Sequence, residues 1–250
     1  MRLLEPYSFD LMNRTEAKVR ERILDLATGP GEPAMSLARL VGPEGSIVGV
    51  DLSERMVELA TQVSRERHLE NTEFRVMDAE HLAFPDESFD AVVSRFGFQI
   101  FTNPESVARE AYRVLRPGGR IVAAVWGTAD KVPGLHALVG PMLEYAEPDE
   151  TGYIPTPYEL GGPGEMAALL ATVGFHDARE ERRTHHFVVA SEDAYLEAML
   201  QGTPMGHSVR EEDPSIQAKI LAKTRRNLQR WRTPRGFELP CECVIVRATK

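Results

Sequence analysis

Three acidic residues in the first third of the chain have the type and spacing of ligands for a nucleotide-like molecule. Asp25 lies at the end of an apolar run, and Asp51 and Asp78 each follow a further apolar run. If these runs are parallel strands, their carboxyl ends line one crevice. A carboxylate after the second strand can accept hydrogen bonds from ribose hydroxyls, and Asp51 lies 20 residues beyond Gly31, a distance that suits this role.

The stretch Ile23–Ala34 predicts a strand, a tight turn with Gly29 and Gly31, and the start of a helix. The glycines let a ligand approach the backbone, and free amides at the helix start can bind a carboxylate. A pyrophosphate site would need a third glycine where Glu32, Pro33 and Ala34 follow, and Glu32 would repel a pyrophosphate unless its side chain turned away. S-adenosylmethionine (SAM), which carries an amine and no phosphate, suits this acidic setting better.

The elements around these residues alternate. The sequence predicts strands at 23–26, 47–50, 74–77, 89–94 and 121–126, with helices at 34–41, 53–68 and 104–115 between them. Ser53 and Asn103 are predicted N-caps, and residues 116–120 a turn. This alternation is typical of an α/β fold with a doubly wound, mostly parallel sheet.

The second half loosens this alternation. It predicts helices at 135–145, 165–173, 191–200 and 211–231 and strands at 182–189 and 241–247, which bring the sheet to seven strands. We expect one domain over residues 1–250, with 1–22 as an N-terminal helix or lid and 23–126 as the cofactor-binding core. Residues 127–162 and 191–235 are expected to be helical insertions that form the substrate pocket.

Net charge and residue composition limit which kinds of molecule the protein is expected to bind. The 250 residues carry a formal charge of −9, which disfavours a nucleic acid or an anionic membrane. No apolar run reaches the roughly 18 residues of a membrane-spanning helix, and the N-terminus lacks the apolar core of a signal peptide. Cys241 and Cys243 are expected to be reduced, and no metal-ligand constellation is present. A cytoplasmic location follows as an expectation.

Five stretches in register carry a family resemblance: Ile23–Ala34, Val50–Ser53 with Met56, Met77–Glu80, Leu82–Asp90 and Val114–Gly119. The chain resembles the class I SAM-dependent methyltransferases, closest to the ubiquinone/menaquinone-biosynthesis methyltransferase-like group. The resemblance spans residues 23–126 and implies SAM as cofactor and an activity in EC class 2.1.1.

The resemblance also implies a set of cofactor-binding residues: Asp25, Ala27, Gly29, Pro30, Gly31, Asp51, Leu52, Met56, Asp78, Ala79, Ser94 and Arg95. The resemblance implies that Asp51 binds the ribose and that Asp78 binds the adenine amino group. Asp25 either contacts the cofactor or holds the turn together. Arg95 either faces the substrate or pairs with a nearby acid.

Methyl transfer is a direct displacement, so the protein mainly aligns the reactants and excludes water. A base is required only where the acceptor loses a proton, and His136, His207 and Arg95 are the candidate catalytic residues. Phe96, Phe98, Phe101 and Trp126 indicate a small aromatic or apolar acceptor, methylated at carbon or oxygen. The alternatives are a nicotinamide- or flavin-linked oxidoreductase and a non-catalytic SAM-binding protein; a homodimer stays open.

Overall fold

The predicted alternation of strands and helices is present in the folded chain. The computed structural model describes residues 2–147 and 156–250. The helices are α1 (Glu5–Thr15), α2 (Ala34–Val41), α3 (Glu54–Glu66), α4 (Pro104–Val114), α5 (Pro133–Leu143), α6 (Glu165–Thr172), α7 (Glu192–Gly202), α8 (Pro204–Glu211) and α9 (Pro214–Leu228). The strands are β1 (Arg22–Leu26), β2 (Ser46–Asp51), β3 (Thr72–Val76), β4 (Phe89–Arg95), β5 (Leu115–Trp126), β6 (His176–Val189), β7 (Arg232–Thr233) and β8 (Gly236–Thr249).

One sheet connects the strands in the order β3-β2-β1-β4-β5-β8-β6. The first five of these pair in parallel, and β8 pairs antiparallel with β5. The doubly wound, mostly parallel α/β fold is therefore confirmed. Within the described residues the sheet has eight strands and not seven, because the two-residue β7 also pairs with β8.

Three predicted elements differ from the observed ones. The turn predicted at 116–120 lies within β5, whose pairing with β4 shifts register between Phe89 and Ala91. The strand predicted at 182–189 begins earlier, at His176. The helix predicted at 211–231 begins at Pro214 as α9, because Asp213 caps it and Pro214 takes its first position, and the preceding α8 is not predicted from the sequence.

The chain forms two compact units. The core unit comprises residues 6–126, 158–183 and 243–250, and the second unit comprises the described residues among 1–5, 127–157 and 184–242. The predicted insertions at 127–162 and 191–235 contribute mainly to the second unit, and the part at 148–155 lies outside the described residues. Their role at a substrate pocket stays a prediction.

Apolar burial positions the strand ends of the core unit. β1, β4 and β5 are buried almost throughout, and α2 and α4 bury one apolar face each. The predicted N-caps are confirmed, since Ser53 accepts from the Met56 amide and Asn103 accepts from the Ser106 amide. At the opposite end of the sheet, the guanidinium of Arg120 donates to the Thr15 and Glu16 carbonyls and to the Glu21 carboxylate.

In the second unit, α9 packs against α5, α7 and α8. The buried hydroxyl of Tyr195 on α7 donates to the Gly134 carbonyl on α5 at 2.9 Å. On β8, Cys241 in the second unit and Cys243 in the core unit are buried, as expected from their spacing in an apolar strand.

Candidate active site

A groove in the core unit runs along the carboxyl ends of β2 and β3. It is lined by Ala27, Val50, Asp51, Leu52, Met77, Asp78, Ala79, Glu80, Ile100, Phe101 and Thr102. The structure thus brings together five of the predicted cofactor residues: Ala27, Asp51, Leu52, Asp78 and Ala79. Sequence reasoning did not assign Ile100 and Thr102, because they lie in a loop after β4 that has no motif of its own.

Asp51 ends β2 and links it to the glycine turn. Its Oδ2 accepts from the Gly29 amide at 2.8 Å, and its Oδ1 accepts from the Ser53 amide at 3.0 Å. A carboxylate has about four acceptor positions, so Asp51 keeps capacity for two further donors. These hydrogen bonds from backbone amides hold the carboxylate in one orientation at the groove. The carboxylate is therefore preorganised to accept from the two hydroxyls of a diol.

Asp78 follows β3 and is anchored within its own loop. Its Oδ1 accepts from the Glu80 amide at 2.9 Å, and its Oδ2 lies 3.2 Å from Nδ1 of His81. These two contacts, the Glu80 amide first, hold the pKa of the Asp78 carboxyl below its usual range. Asp78 therefore faces the groove as an ionised acceptor.

Asp25 is the most buried acid of the core unit. It is inaccessible to solvent, its Oδ2 accepts from the Thr28 hydroxyl at 2.7 Å, and its Oδ1 has no hydrogen-bond partner among the described residues. Burial raises the pKa of Asp25 to about 7, and the charge of Asp51 acts in the same direction, while Thr28 and Arg95 oppose it. A buried, unpaired carboxylate oxygen suits a ligand that brings a donor.

The glycine turn differs from the sequence-based picture in one respect. Glu32 turns its side chain away, since its carboxylate accepts from the Ser36 hydroxyl at 2.8 Å and pairs with Arg67 at 2.5 Å. Glu32 would therefore repel a pyrophosphate less than the sequence suggests, because the charge of its carboxylate is paired with Arg67. Gly29 and Gly31 have φ of 53° and 99°, which only glycine adopts readily.

Ser94 and Arg95 occupy the end of β4. The buried Ser94 hydroxyl donates to the Leu26 carbonyl at 3.0 Å, which ties β4 to β1. The guanidinium of Arg95 donates through Nη1 to the hydroxyl of Ser8 on α1, and its Nε is buried without a partner in the described chain. Burial lowers the pKa of Arg95, and the charges of Asp25 and Glu32 oppose that shift.

An aromatic cluster lies beside Arg95. Phe96 stacks on Trp126 with ring centroids 3.8 Å apart, and the buried ring of Tyr7 on α1 packs edge-on against both. Phe98 and Phe101 pack on each other; Phe98 belongs to the core near α4, whereas Phe101 is partly buried against that core and lines the groove. Sequence reasoning missed Tyr7 and Ser8, because the ragged periodicity of residues 1–22 does not show which face of α1 is buried.

Four further predicted residues do not line the groove. Met56 is half-buried on α3 and does not line it. His136 is half-buried on α5 of the second unit, and His207 is exposed on α8, where its ring pairs with Glu211 at 3.2 Å. Pro30 is exposed at the glycine turn. The proposed roles of these residues stay predictions.

Two kinds of feature are absent from the described residues. No group of three or more histidine, cysteine, aspartate or glutamate side chains in residues 2–147 and 156–250 could hold a metal ion. No helix in that part of the chain is long and apolar enough to cross a membrane.

The open sheet and the acidic residues at its carboxyl edge define a Rossmann-like α/β protein. Residues 24–123 match the family model described as "Methyltransferase domain". The chain is 34% identical to the demethylmenaquinone methyltransferase of Listeria monocytogenes over an alignment of 168 residues. This alignment covers 63% of this chain and 70% of that protein. It therefore belongs to the class I methyltransferases, in the ubiquinone/menaquinone-biosynthesis group.

Two further comparisons agree with this assignment. The ubiquinone/menaquinone biosynthesis C-methyltransferase UbiE of Pseudomonas entomophila is 42% identical over 106 residues, 40% of each chain. The crystal structure of the YcgJ protein of Bacillus subtilis superimposes with a TM-score of 0.69 at 18% identity, covering 98% of this chain and 99% of that one. This second similarity concerns the fold alone. The matches support a methyltransferase and offer no support for an oxidoreductase.

Proposed function

We propose that this protein transfers the methyl group of SAM to a carbon or oxygen atom of a small aromatic or apolar molecule. The observation that carries the proposal is the groove in which Asp51 and Asp78, both anchored by backbone amides, lie beside Ala27, Leu52 and Ala79. Two oriented acceptors flanked by apolar surface fit an adenosine, with its ribose hydroxyls, its amino group and its flat ring.

The residues around the turn fit the rest of SAM. The unpaired Oδ1 of Asp25 is an acceptor in an apolar setting, and the methionyl end of SAM carries an ammonium group that can donate to it. An ammonium ligand would also favour the ionised form of Asp25. When bound, SAM supplies an electrophilic methyl group on a sulfonium sulfur, which departs as a neutral thioether without an acid.

The remaining work of the protein is alignment, exclusion of water and, for a carbon or phenol acceptor, removal of a proton. Asp51 and Asp78 would hold the adenosine, so that the reacting end points toward β4. Phe96, Trp126 and Tyr7 form a packed aromatic cluster beside Arg95, which keeps water away from the end of β4. Alignment of the reactants together with exclusion of water can supply about 7–11 kcal/mol of a reaction barrier.

The names of the relatives suggest an acceptor to try first. Demethylmenaquinone in its reduced form has an electron-rich ring carbon, which is the nucleophile that a C-methyltransferase requires. Its aromatic ring agrees with the aromatic side chains beside the groove. His136 and His207 remain candidates for the base, a cytoplasmic location is part of the proposal, and a homodimer is a further prediction that size-exclusion chromatography can check.

Calorimetric titration with S-adenosylhomocysteine (SAH) tests the cofactor site. We expect wild-type protein to bind, and Asp51→Ala to weaken binding by about 10- to 100-fold, because each hydrogen bond to a charged group contributes about 1.5–3 kcal/mol. Asp51→Asn keeps an acceptor for Gly29 and should lose less. Glu58→Ala, an exposed change on α3, is the matched control.

An assay of SAH release with SAM and reduced demethylmenaquinone, other quinols and phenols then tests catalysis. SAH binding without turnover of any acceptor would favour the non-catalytic SAM-binding alternative. If SAH affinity is the same in Asp51→Ala and Glu58→Ala, the assignment of the groove is wrong.

A further inference from the structure

The segment from Pro214 to Phe237, in the second unit, carries a strong positive charge within an acidic chain. It contains seven lysines and arginines and no aspartate or glutamate. The whole chain has a formal charge of −9, so this segment at +7 leaves −16 on the other residues. The net charge of the chain, which by itself disfavours an anionic membrane as a partner, therefore conceals an opposite charge in one place.

The helix in this segment, α9, separates its buried side from its cationic side. Its buried residues Ile220, Thr224 and Leu228 follow one another at intervals of four, which places them on one face. Intervals of three and four residues place a row of cations on the opposite face and in the turn after the helix: Lys219, Lys223, Arg226 and Arg230.

Most of the seven cations are not neutralised by an acid. Lys223 pairs with Glu144, and Arg225 pairs with Glu192 and Asp193. The other five are exposed and form no ion pair with the described residues; we call them the basic face, and they are Lys219, Arg226, Arg230, Arg232 and Arg235. An anionic partner could therefore contact these cations without displacing an existing ion pair.

Trp231 lies within the basic face. It is partly exposed, and the residues on either side of it, Arg230 and Arg232, are exposed. Tryptophan is enriched where proteins meet the headgroup region of a bilayer, because its ring is apolar and its N–H is polar. Exposed cations beside a partly exposed tryptophan are typical of surfaces that bind anionic lipids.

The acids elsewhere in the chain do not prevent such contact. Charges farther from the bilayer than the Debye length, about 10 Å at 0.1 M salt, are largely screened, so the charge of the nearest face decides the interaction.

A nucleic acid is the other polyanion that could contact the basic face. The proposed acceptor favours a bilayer, because an apolar molecule partitions into lipid and an enzyme held at the lipid surface meets more of it. This preference for a bilayer rests on the proposed function.

We propose that the basic face binds the surface of an anionic lipid bilayer and attaches this protein to it reversibly. Lys219, Arg226, Arg230, Arg232 and Arg235 supply the electrostatic attraction, and Trp231 enters the headgroup region.

Flotation with lipid vesicles tests the attachment. Wild-type protein should bind vesicles of phosphatidylcholine mixed with phosphatidylglycerol and should not bind phosphatidylcholine alone. Each cation at an anionic lipid surface raises the affinity about fivefold, so the triple variant Arg226→Gln, Arg230→Gln, Arg232→Gln should bind roughly 100-fold more weakly. Binding of the wild-type protein should also weaken as salt is raised.

A second triple variant is the matched control. Arg39→Gln, Arg65→Gln, Arg109→Gln removes three exposed arginines of the core unit and changes the net charge by the same amount. We expect its vesicle affinity to stay within about twofold of wild type, because these residues lie outside the basic face. The emission of Trp231 should shift to shorter wavelength on anionic vesicles, whereas Trp126 is already buried.

Three results would overturn the inference. The first is wild-type protein that does not bind anionic vesicles at low salt, or whose binding does not respond to salt. The second is an equal loss of affinity in the two triple variants, which would mean that net charge and not the basic face decides binding. The third is tighter binding to duplex DNA than to anionic vesicles, which would assign the basic face to a nucleic acid.

A failure of the proposed function would look different. Vesicle binding requires neither SAM nor an acceptor, and both triple variants should keep the SAH affinity of the wild type. Wild-type protein that binds anionic vesicles but not SAH would therefore contradict the proposed function and leave the attachment of the basic face to lipid in place.

Discussion

Replacing Asp25 by asparagine should change how the stability of the ligand-free protein depends on pH. The pKa of Asp25 rises from 3.8 to about 7 on folding, because the carboxyl is wholly buried. Between these values the folded state binds more protons than the unfolded state, so the free energy of unfolding falls as pH rises. At about 1.4 kcal/mol per pH unit, the rise corresponds to about 4 kcal/mol.

That contribution is fully present below pH 3.8 and is lost as pH rises toward 7. Asparagine keeps an acceptor for the Thr28 hydroxyl but cannot ionise. The difference in unfolding free energy between Asp25→Asn and wild type should therefore become more favourable to the variant by about 2.7 kcal/mol from pH 5 to pH 8, because only the part of the contribution between pH 5 and pH 7 is lost in that range. Because the other titrating groups are shared, this difference isolates Asp25.

Urea unfolding followed by circular dichroism at several pH values measures this difference, provided that the transition is two-state. A difference between the two proteins that stays constant from pH 5 to pH 8 would refute the reasoning, since it would mean that Asp25 does not change ionisation in that range. The same variant should bind SAH more weakly, because a neutral amide is a poorer acceptor for an ammonium group than a carboxylate.

Three further changes test other parts of the core unit. Arg120→Met removes the guanidinium partner of the largely buried Glu21 carboxylate and should lower the unfolding free energy by about 3–5 kcal/mol in urea. Gly31→Ala places a methyl group at φ 99° and 2.3 Å from Met35 Cε, so it should cost about 1–3 kcal/mol and weaken SAH binding by calorimetry. Tyr7→Ala should cost about 3–5 kcal/mol in thermal unfolding; a loss below about 1 kcal/mol would show that the aromatic cluster is not tightly packed.

The predictable parts of the fold are those that local physics decides. Apolar runs that end in acids, and caps such as Ser53 and Asn103, define elements within a few residues of chain, and the structure confirms them. The two misjudged boundaries near residues 116–120 and 211–231 depended on competing local signals. A Pro-Gly-Gly turn signal was overridden by pairing of β5, and Asp213 with Pro214 began α9 three residues later than the predicted start at 211.

The residues of the candidate site also fall into those that local sequence predicts and those that depend on tertiary packing. Motif spacing located the groove residues Asp51 and Asp78, because strand ends of a parallel sheet converge whatever the loops do. Spacing could not show that Glu32 pairs with Arg67, because that contact joins residues 35 positions apart, one in the turn before α2 and one just after α3. The outcome for Glu32 depends on packing, which a linear pattern does not contain.

The sequence by itself therefore determined the fold class, the family and the acidic edge of the sheet, since hydrophobic period, turn chemistry and motif order are local properties. Only the tertiary structure decided which polar atoms remain unpaired. Asp25 Oδ1 and Arg95 Nε are 70 residues apart in sequence, and each depends on what distant segments bury around it. Burial and hydrogen-bond satisfaction are properties of the packed chain, and a linear pattern of residues does not contain them.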